Sequence, residues 1–547
     1  MTRPLLQVTG LERSAADVRL PSLLWAWPVI CPLAHAEVLA IDPSEALKQR
    51  GVVAVLTAET LLSPSVVRFA PVLSELLSPS VRHAGQPVAL VLAESRLLAR
   101  TAAEKVALRW RALDCCLTLA GALAGGQAEP TLRRSRGEPV ESLLSARKHY
   151  KQTFRTAPRL TDSAALGVVT ALWRGDALTL YTVGEPTREL AAKLGLRPEQ
   201  QLTVTSQLGD GDGSFGPQAL LAAIASAHVE RPVRVELPAL TACGSVAETL
   251  QTIQLGLDDH DRPLALLLHG AIGATSDGSS SALTAVMELA AAYGFANREL
   301  TMVPVRLHLP TEPRENRLSA WQDLTFSVER AIDELAVQLA TDPVTLRLRW
   351  LGDGASGDGV VLRGCLERLQ ELCGVGKLTS QSSAADVAQR RGRGVASAVH
   401  RAASGQTLYG AHFVEAELSD GRVVLHRHVC VLAVAGTLPG GDLKGLVRRS
   451  VEHARRLALQ PELLISPQVG WTALRSDPTG RSATVATTEL VLLPVPSGDS
   501  PRFTEVDVAG LARSGVAAAV VSALATAQHS QLRTVPAAAV TSSRCGP

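Results

Sequence analysis

His426-Arg-His428 sets two imidazoles two residues apart in a strand-type run. An extended backbone turns both to one side, which is how a metal site begins. No third ligand accompanies them, so the pair reads as part of a solvated strand face. Gly209-Asp-Gly-Asp-Gly-Ser-Phe-Gly-Pro-Gln218 is a glycine-rich loop between a strand pattern and a helix pattern. By itself it reads as an ordinary surface loop, and Asp212 and Ser214 interrupt its glycines. Glu505 and Asp507 lie close together on a strand-like segment, and Arg314 and Arg317 in a basic turn. The cysteines (Cys31, Cys115, Cys116, Cys243, Cys365, Cys373, Cys430 and Cys545) include no C-x-x-C pair. A zinc ribbon or an iron–sulfur cluster held by this chain alone is not expected. There is no P-loop and no G-x-S-x-G elbow.

The elements that position these residues follow from periodicity. Val52–Leu56 is a β-branched strand after Gly51, and Ser95 caps a helix running to Lys105. Val106–Trp110 reads as a return strand. Val168–Trp173 and 177–183 flank Arg174-Gly175-Asp176, a hairpin turn. Residues 187–194 and 219–227 read as helices, and 252–257 with 263–268 as another hairpin. Leu324–Leu339 is a helix with Val328, Ile332, Leu335 and Leu339 on one stripe, and Pro343 opens the next helix. Residues 412–418 and 422–433 form a hairpin across Asp420-Gly421, and 515–525 is a helix of small residues. Cys365 and Cys373 flank a helix as core residues, while Cys115 and Cys116 point apart.

The chain has 547 residues, which implies several domains, and its 46% hydrophobic and 19% charged content fits a folded protein. A net charge of +2 and 3% aromatics argue against nucleic acid or an anionic membrane as partner. The N-terminus has no signal-peptide core, and residues 23–33 are too short to span a bilayer. Scattered thiols suit a reducing compartment, so a cytoplasmic location is expected.

Val81-Arg-His-Ala-Gly-Gln-Pro-Val-Ala-Leu-Val-Leu-Ala-Glu-Ser95, preceded by Gly51-Val-Val-Ala-Val, resembles the a/b hammerhead domain of the xanthine dehydrogenase/aldehyde oxidase family. Phe326-Ser-Val-Glu-Arg-Ala-Ile-Asp-Glu-Leu335, Asp342-Pro-Val-Thr-Leu-Arg-Leu-Arg349, Gly410-Ala-His-Phe-Val-Glu-Ala-Glu417 and Gly515-Val-Ala-Ala-Ala519 are similar, in order, to segments of that family's molybdopterin-binding large subunit. The resemblance implies an α+β fold. A hammerhead domain would span 1–125, a connector 126–149, a first molybdopterin-binding-like domain 150–390, and a remnant of a second 391–547.

It also implies a molybdopterin-type cofactor, possessed or lost, and water-derived hydroxylation of a heterocycle or aldehyde. No Fe–S cluster or FAD is expected in this chain. The implied partners are [2Fe–2S] and FAD subunits, or a full-length large-subunit homologue, in a hetero-oligomer. By the same resemblance the cofactor contacts fall on Gly211, Gly213, Ser214, Phe215, Gly216 and Gln218, and a substrate contact on Arg314. Three departures stand against this. The family's glutamine before Pro186 is replaced by Glu185. The block expected between 392–396 and 410–417 is reduced to residues 397–409. The family's glutamate base falls at Gly510, which leaves Glu505 as the substitute. An impaired enzyme, or a non-catalytic scaffold for an active molybdenum hydroxylase, is the expectation.

Overall fold

The computed structural model describes residues 15–59, 72, 76–126, 128, 130–160, 168–182, 191, 194–196, 202–206, 217–237, 245–246, 248–273, 280–309, 324–351, 358–374, 391–402, 405–419, 422–434, 443–459, 464–466, 470–472, 484–485, 488–494, 508, 511–528 and 534–535. The first elements are β1 (Leu24–Ile30), β2 (Ala36–Asp42), α1 (Ser44–Leu47), β3 (Val52–Leu56), β4 (Ser80–Val81), β5 (Pro87–Ala93), α2 (Arg96–Ala103) and β6 (Ala107–Ala112). The Gly-Gln-Pro turn is held by Gln86. Its Oε1 accepts from the Arg82 N–H at 2.8 Å and its Nε2 donates to the Ser80 carbonyl at 3.1 Å. Gly85 supplies the left-handed φ of 81° that the turn needs. β5 then runs fully buried between antiparallel β1 and β3. Ser95 accepts from the Leu98 N–H at 3.3 Å, the expected cap, and the helix ends at Ala103, short of Lys105.

The middle of the chain adds α3 (Leu119–Ala124), β7 (Leu132–Arg136), α4 (Pro139–Ser145), β8 (Lys148–Thr156), β9 (Arg159–Leu160), β10 (Val168–Arg174), β11 (Ala177–Thr182), β12 (Leu202–Ser206), α5 (Pro217–Val229), β13 (Val233–Glu236), β14 (Ser245–Val246), β15 (Thr249–Leu257), β16 (Pro263–Gly273), α6 (Ser280–Ala292), β17 (Asn297–Val305), α7 (Leu324–Gln338), α8 (Pro343–Leu351) and α9 (Asp358–Cys373). One seven-stranded sheet has the order β12-β11-β10-β13-β1-β5-β3, with β1 parallel to β13. Strands from 1–125 and from 150–390 therefore share a sheet. A second sheet orders β8-β15-β16-β17-β7, with Thr534–Val535 pairing parallel on the outer side of β8. The stretch 126–149 is a correction to the expected connector: β7 is an edge strand of this sheet and α4 packs on it, with the Leu143 and Ala146 side chains against Gly256. Its arginines mimic a linker because an edge strand tolerates, and is protected by, exposed charge.

The last third builds β18 (Arg391–Arg401), β19 (Thr407–Ser419) and β20 (Arg422–Val434) as antiparallel neighbours, with residues Thr488–Pro494 pairing parallel on β20, and adds α10 (Leu443–Leu459) and α11 (Val516–Gln528). β18 and β19 pair from Arg391↔Glu417 to Arg401↔Thr407. The segment left where a larger block was expected is thus a hairpin. Leu511–Gln528 is long and apolar enough to cross a membrane, but 78% of it is buried inside the protein. It lies directly on β18. A Cβ on Gly394 would come 2.0 Å from the Ala519 carbonyl oxygen, and one on Gly392 2.0 Å from that of Ala523. Cys365 lies inside α9 and Cys373 ends it, rather than flanking it. Among the described residues the cysteines are free.

Gly394→Ala forces a methyl into helix backbone with no flexible side chain to yield. It is expected to lower stability by about 2 kcal/mol or more, seen as a lower urea midpoint with an unchanged slope.

Candidate functional site

β12 runs parallel to β11, with Thr182 opposite Ser206, and the chain resumes at α5, whose flank carries Ala219–Ala225 into the core beneath the sheet. Trp173 on β10 donates its indole N–H to the Ala223 carbonyl at 2.8 Å and fixes that helix on the sheet. A strand end facing a helix N-terminus is where α/β proteins place anions. Gln218, in the first turn of α5, is only 2% exposed. Gly211, Gly213, Ser214, Phe215 and Gly216 lie outside the described residues. So do Glu185, Arg314, Arg317, Glu505 and Gly510, so none of the expected contacts is brought together by a described geometry.

The described polar interior lies elsewhere, in a network that the stripe of α7 gave no hint of. Arg347 of α8 is fully buried. Its Nη2 donates to Glu329 Oε2 at 2.8 Å and its Nη1 to Asp333 Oδ1 at 2.7 Å. Glu329 also accepts from the Tyr293 hydroxyl, just past α6, at 2.9 Å and from the Ser397 N–H of β18 at 2.7 Å. Ser522 of α11 donates to Asp333 and accepts from Arg330 Nη1 at 2.9 Å. Arg330 Nη2 reaches Glu334 at 3.3 Å, and the Tyr150 hydroxyl donates to Glu334 at 2.9 Å. Burial opposes the Arg347 charge, but Asp333 and Glu329 outweigh it and hold the guanidinium well above its ordinary value. Burial pushes the Glu329 carboxyl up, against the pull of Arg347. Burial and the Glu329 charge keep Tyr293 protonated. Every one of these groups is engaged within the protein, so the network's chemistry is structural. Its one signal in sequence is Glu329 and Asp333 spaced i, i+4 on a helix whose residues from Leu324 to Ala336 are all buried.

The two histidines of β20 part company, which corrects the reading of a solvated face. His426 is half-buried, 2.8 Å from Glu417, which also takes Arg391 at 2.9 Å. His428 is fully buried, with Nε2 3.2 Å from Nδ1 of the equally buried His412. A register shift at Glu415/Ala416 breaks the strict alternation on which the expectation rested. The remaining cluster of possible metal ligands among the described residues, Asp258, Asp259 and His260, is the tip of the β15–β16 hairpin. Asp258 Oδ1 there accepts the N–H groups of His260 and Arg262, both at 2.8 Å, an ordinary turn.

A molybdopterin group needs donors for its phosphate and an open cradle. The strand–helix frame is in place, but the loop joining it carries Asp210 and Asp212. In the second half, the buried imidazoles of His412 and His428 lie in a layer closed by Val447, Val451, Val508 and Leu511, all unexposed. Of the expected contacts to the group, Gln218 is the one among the described residues.

Residues 9–114 match the family described as aldehyde oxidase and xanthine dehydrogenase, a/b hammerhead domain, and residues 166–351 match the molybdopterin cofactor-binding domain. The chain is 28% identical over 359 residues to the aldehyde oxidoreductase molybdenum-binding subunit PaoC of Escherichia coli K12, covering 63% of this chain and 48% of that protein. It is 24% identical over 442 residues to the xanthine dehydrogenase molybdenum-binding subunit of Escherichia coli O157:H7, covering 71% and 57%. The chain thus spans about half the length of these relatives. In fold it is similar to quinoline 2-oxidoreductase from Pseudomonas putida 86, with a TM-score of 0.76 at 14% identity over 97% of this chain and 95% of that one. The aldehyde oxidoreductase of Desulfovibrio desulfuricans gives 0.76 at 16%, over 97% and 78%.

Arg347→Met strands Glu329 and Asp333 without their counter-charge and is expected to cost about 3–5 kcal/mol in urea unfolding. Combined with Glu329→Gln, the loss is expected to fall short of the sum of the two single losses, because the groups act as one unit.

Proposed function

We propose that this chain, which belongs to the xanthine dehydrogenase and aldehyde oxidase family, is a homologue of the molybdenum-binding large subunit in which hydroxylation of a heterocycle or aldehyde is impaired. One observation carries this: the position where the family resemblance expects a carboxylate base is Gly510. Glycine cannot take a proton, and general-base catalysis needs a tuned acceptor within hydrogen-bond reach. Glu505 is the substitute available nearby in sequence. The acidic loop at Asp210 and Asp212 and the hairpin in place of a longer block support weak retention of a molybdopterin-type cofactor. Partners carrying [2Fe–2S] and FAD, and a cytoplasmic location, belong to this reading.

A second reading, a non-catalytic scaffold for a full-length homologue, is favoured by the Arg347 network. That network ties α7 and α8 to β18 and α11 with protein groups alone, so the framework needs no cofactor to close.

Metal analysis of the purified chain, with pterin fluorescence after denaturation, tests both. The impaired reading expects molybdenum well below one per chain and little dye-linked oxidation of aldehydes or N-heterocycles. It also expects a rise in turnover per molybdenum in Gly510→Glu and a fall in Glu505→Gln. Stoichiometric molybdenum with turnover indifferent to both substitutions overturns it. The scaffold reading expects a metal-free chain that co-purifies with a larger homologue, and a metal-free chain that pairs with none overturns that.

A further inference from the structure

His412 and His428 are unused by any function above, and their geometry is unusual for a core. His412 lies opposite Cys430, and Val414 opposite His428, so the imidazoles are diagonal neighbours across β19 and β20. Their rings stand edge to face at 5.4 Å. The His412 Nδ1 and His428 Nε2 share one proton-bearing bond. The outer nitrogens, His412 Nε2 and His428 Nδ1, make no hydrogen bond of good geometry among the described residues, the nearest polar group to His412 being the Ser514 backbone. Whichever ring donates in the shared bond, the other two nitrogens are one stranded donor and one stranded acceptor.

A further proton therefore has two kinds of place to go. On the bridging acceptor it destroys the bond. On the stranded acceptor it puts a charge into a layer of Ala398, Leu432, Val447, Val451, Val508 and Leu511. Unpaired charge in such surroundings costs several kcal/mol or more. The cationic group that reaches His428 is Arg455 of α10, which repels a second positive charge. Cys430, across from His412, stays a neutral thiol through burial. Burial pushes the His412 imidazole down to about 4, with the Ser514 backbone offsetting part of this, and pushes His428 well below its ordinary value.

In this layer Val447 and Val451 of α10, with Leu511 and Ala512, pack on the sheet face opposite the main core, while Ala458 near the end of α10 reaches the main core itself. We propose that the His412–His428 pair is an acid-released latch: protonation of the pair lets α10 and residues 511–515 detach from β19 and β20 while α7 and α8 stay folded. The sign follows from lowered values in the closed state. The closed layer is at full strength above an ordinary histidine value of about 6.5, and is lost as pH falls from there towards 4. Each histidine that charges on release makes opening about thirtyfold easier at pH 5 than at pH 7.5, so two make it about a thousandfold easier.

Amide hydrogen exchange of the full chain at pH 7.5 and pH 5, corrected for intrinsic rates, tests this. Residues 443–459 and 511–515 are expected to lose protection by thirtyfold or more at pH 5, while residues 324–351 keep theirs. A smaller loss, or an equal loss throughout the chain, overturns the latch. The double variant His412→Leu, His428→Leu is expected to show the same protection at both pH values, and persistence of the acid loss in it overturns the proposal. If that variant does not fold, the imidazole nitrogen shifts of the wild-type chain decide. Both rings are expected to stay neutral until the layer loosens, and titration of either near 6.5 in a still-protected layer overturns it.

Discussion

A buried guanidinium cannot be left half matched. Arg347 has no exposure, so its charge must be met by groups inside the protein. Glu329 and Asp333 meet it from one turn apart on α7. The unused capacity of those carboxylates then dictates what else must come to the same place: Tyr293 from the end of α6, the Ser397 N–H from β18 and Ser522 from α11. The helix pair α7 and α8 and three segments distant from it in sequence are thus placed by one charge and its hydrogen bonds. The apolar core around them, with Phe154, Phe326, Val395 and Val520, supplies the bulk of the burial. It does not by itself specify which helix meets which strand.

The close seating of α11 on β18 follows from that constraint. Ser522 reaches Asp333 only because helix backbone rests on Gly392 and Gly394, where any side chain would hold it away. The glycines and the buried polar chain are two halves of one packing solution. On the other face of the same sheet the arrangement is looser in kind. There a thin apolar layer surrounds two imidazoles with stranded nitrogens. A buried polar group with no partner weakens a layer where a fully satisfied network stiffens it.

The framework of this chain is shared with its relatives. The hammerhead and the molybdopterin-binding-type region are both recognisable, and the fold follows solved relatives over 97% of the chain. Its match spans about half the length of the curated relatives, and the join between β18 and β19 is a hairpin. A core can keep its pattern under many substitutions because volume and burial are shared over many residues.

Much of the fold was legible in the sequence because its elements have clear periods and stops. The helices at 324–338 and 343–351, the hairpin of β15 and β16, the β19–β20 hairpin and the Ser95 cap follow from spacing, proline, glycine and a hydroxyl in the right place. The family followed from the order of short segments. What spacing did not reveal was which polar residues are inside. Arg347 and Glu329 look like the wet side of two amphipathic helices, and His428 like the solvated partner of His426. The edge strand β7 looks like a linker because its arginines are all exposed. Sequence determined local conformation and kinship, since both depend on neighbours along the chain. The tertiary structure alone decided burial and charge pairing, since those depend on what a segment far away brings to the other side.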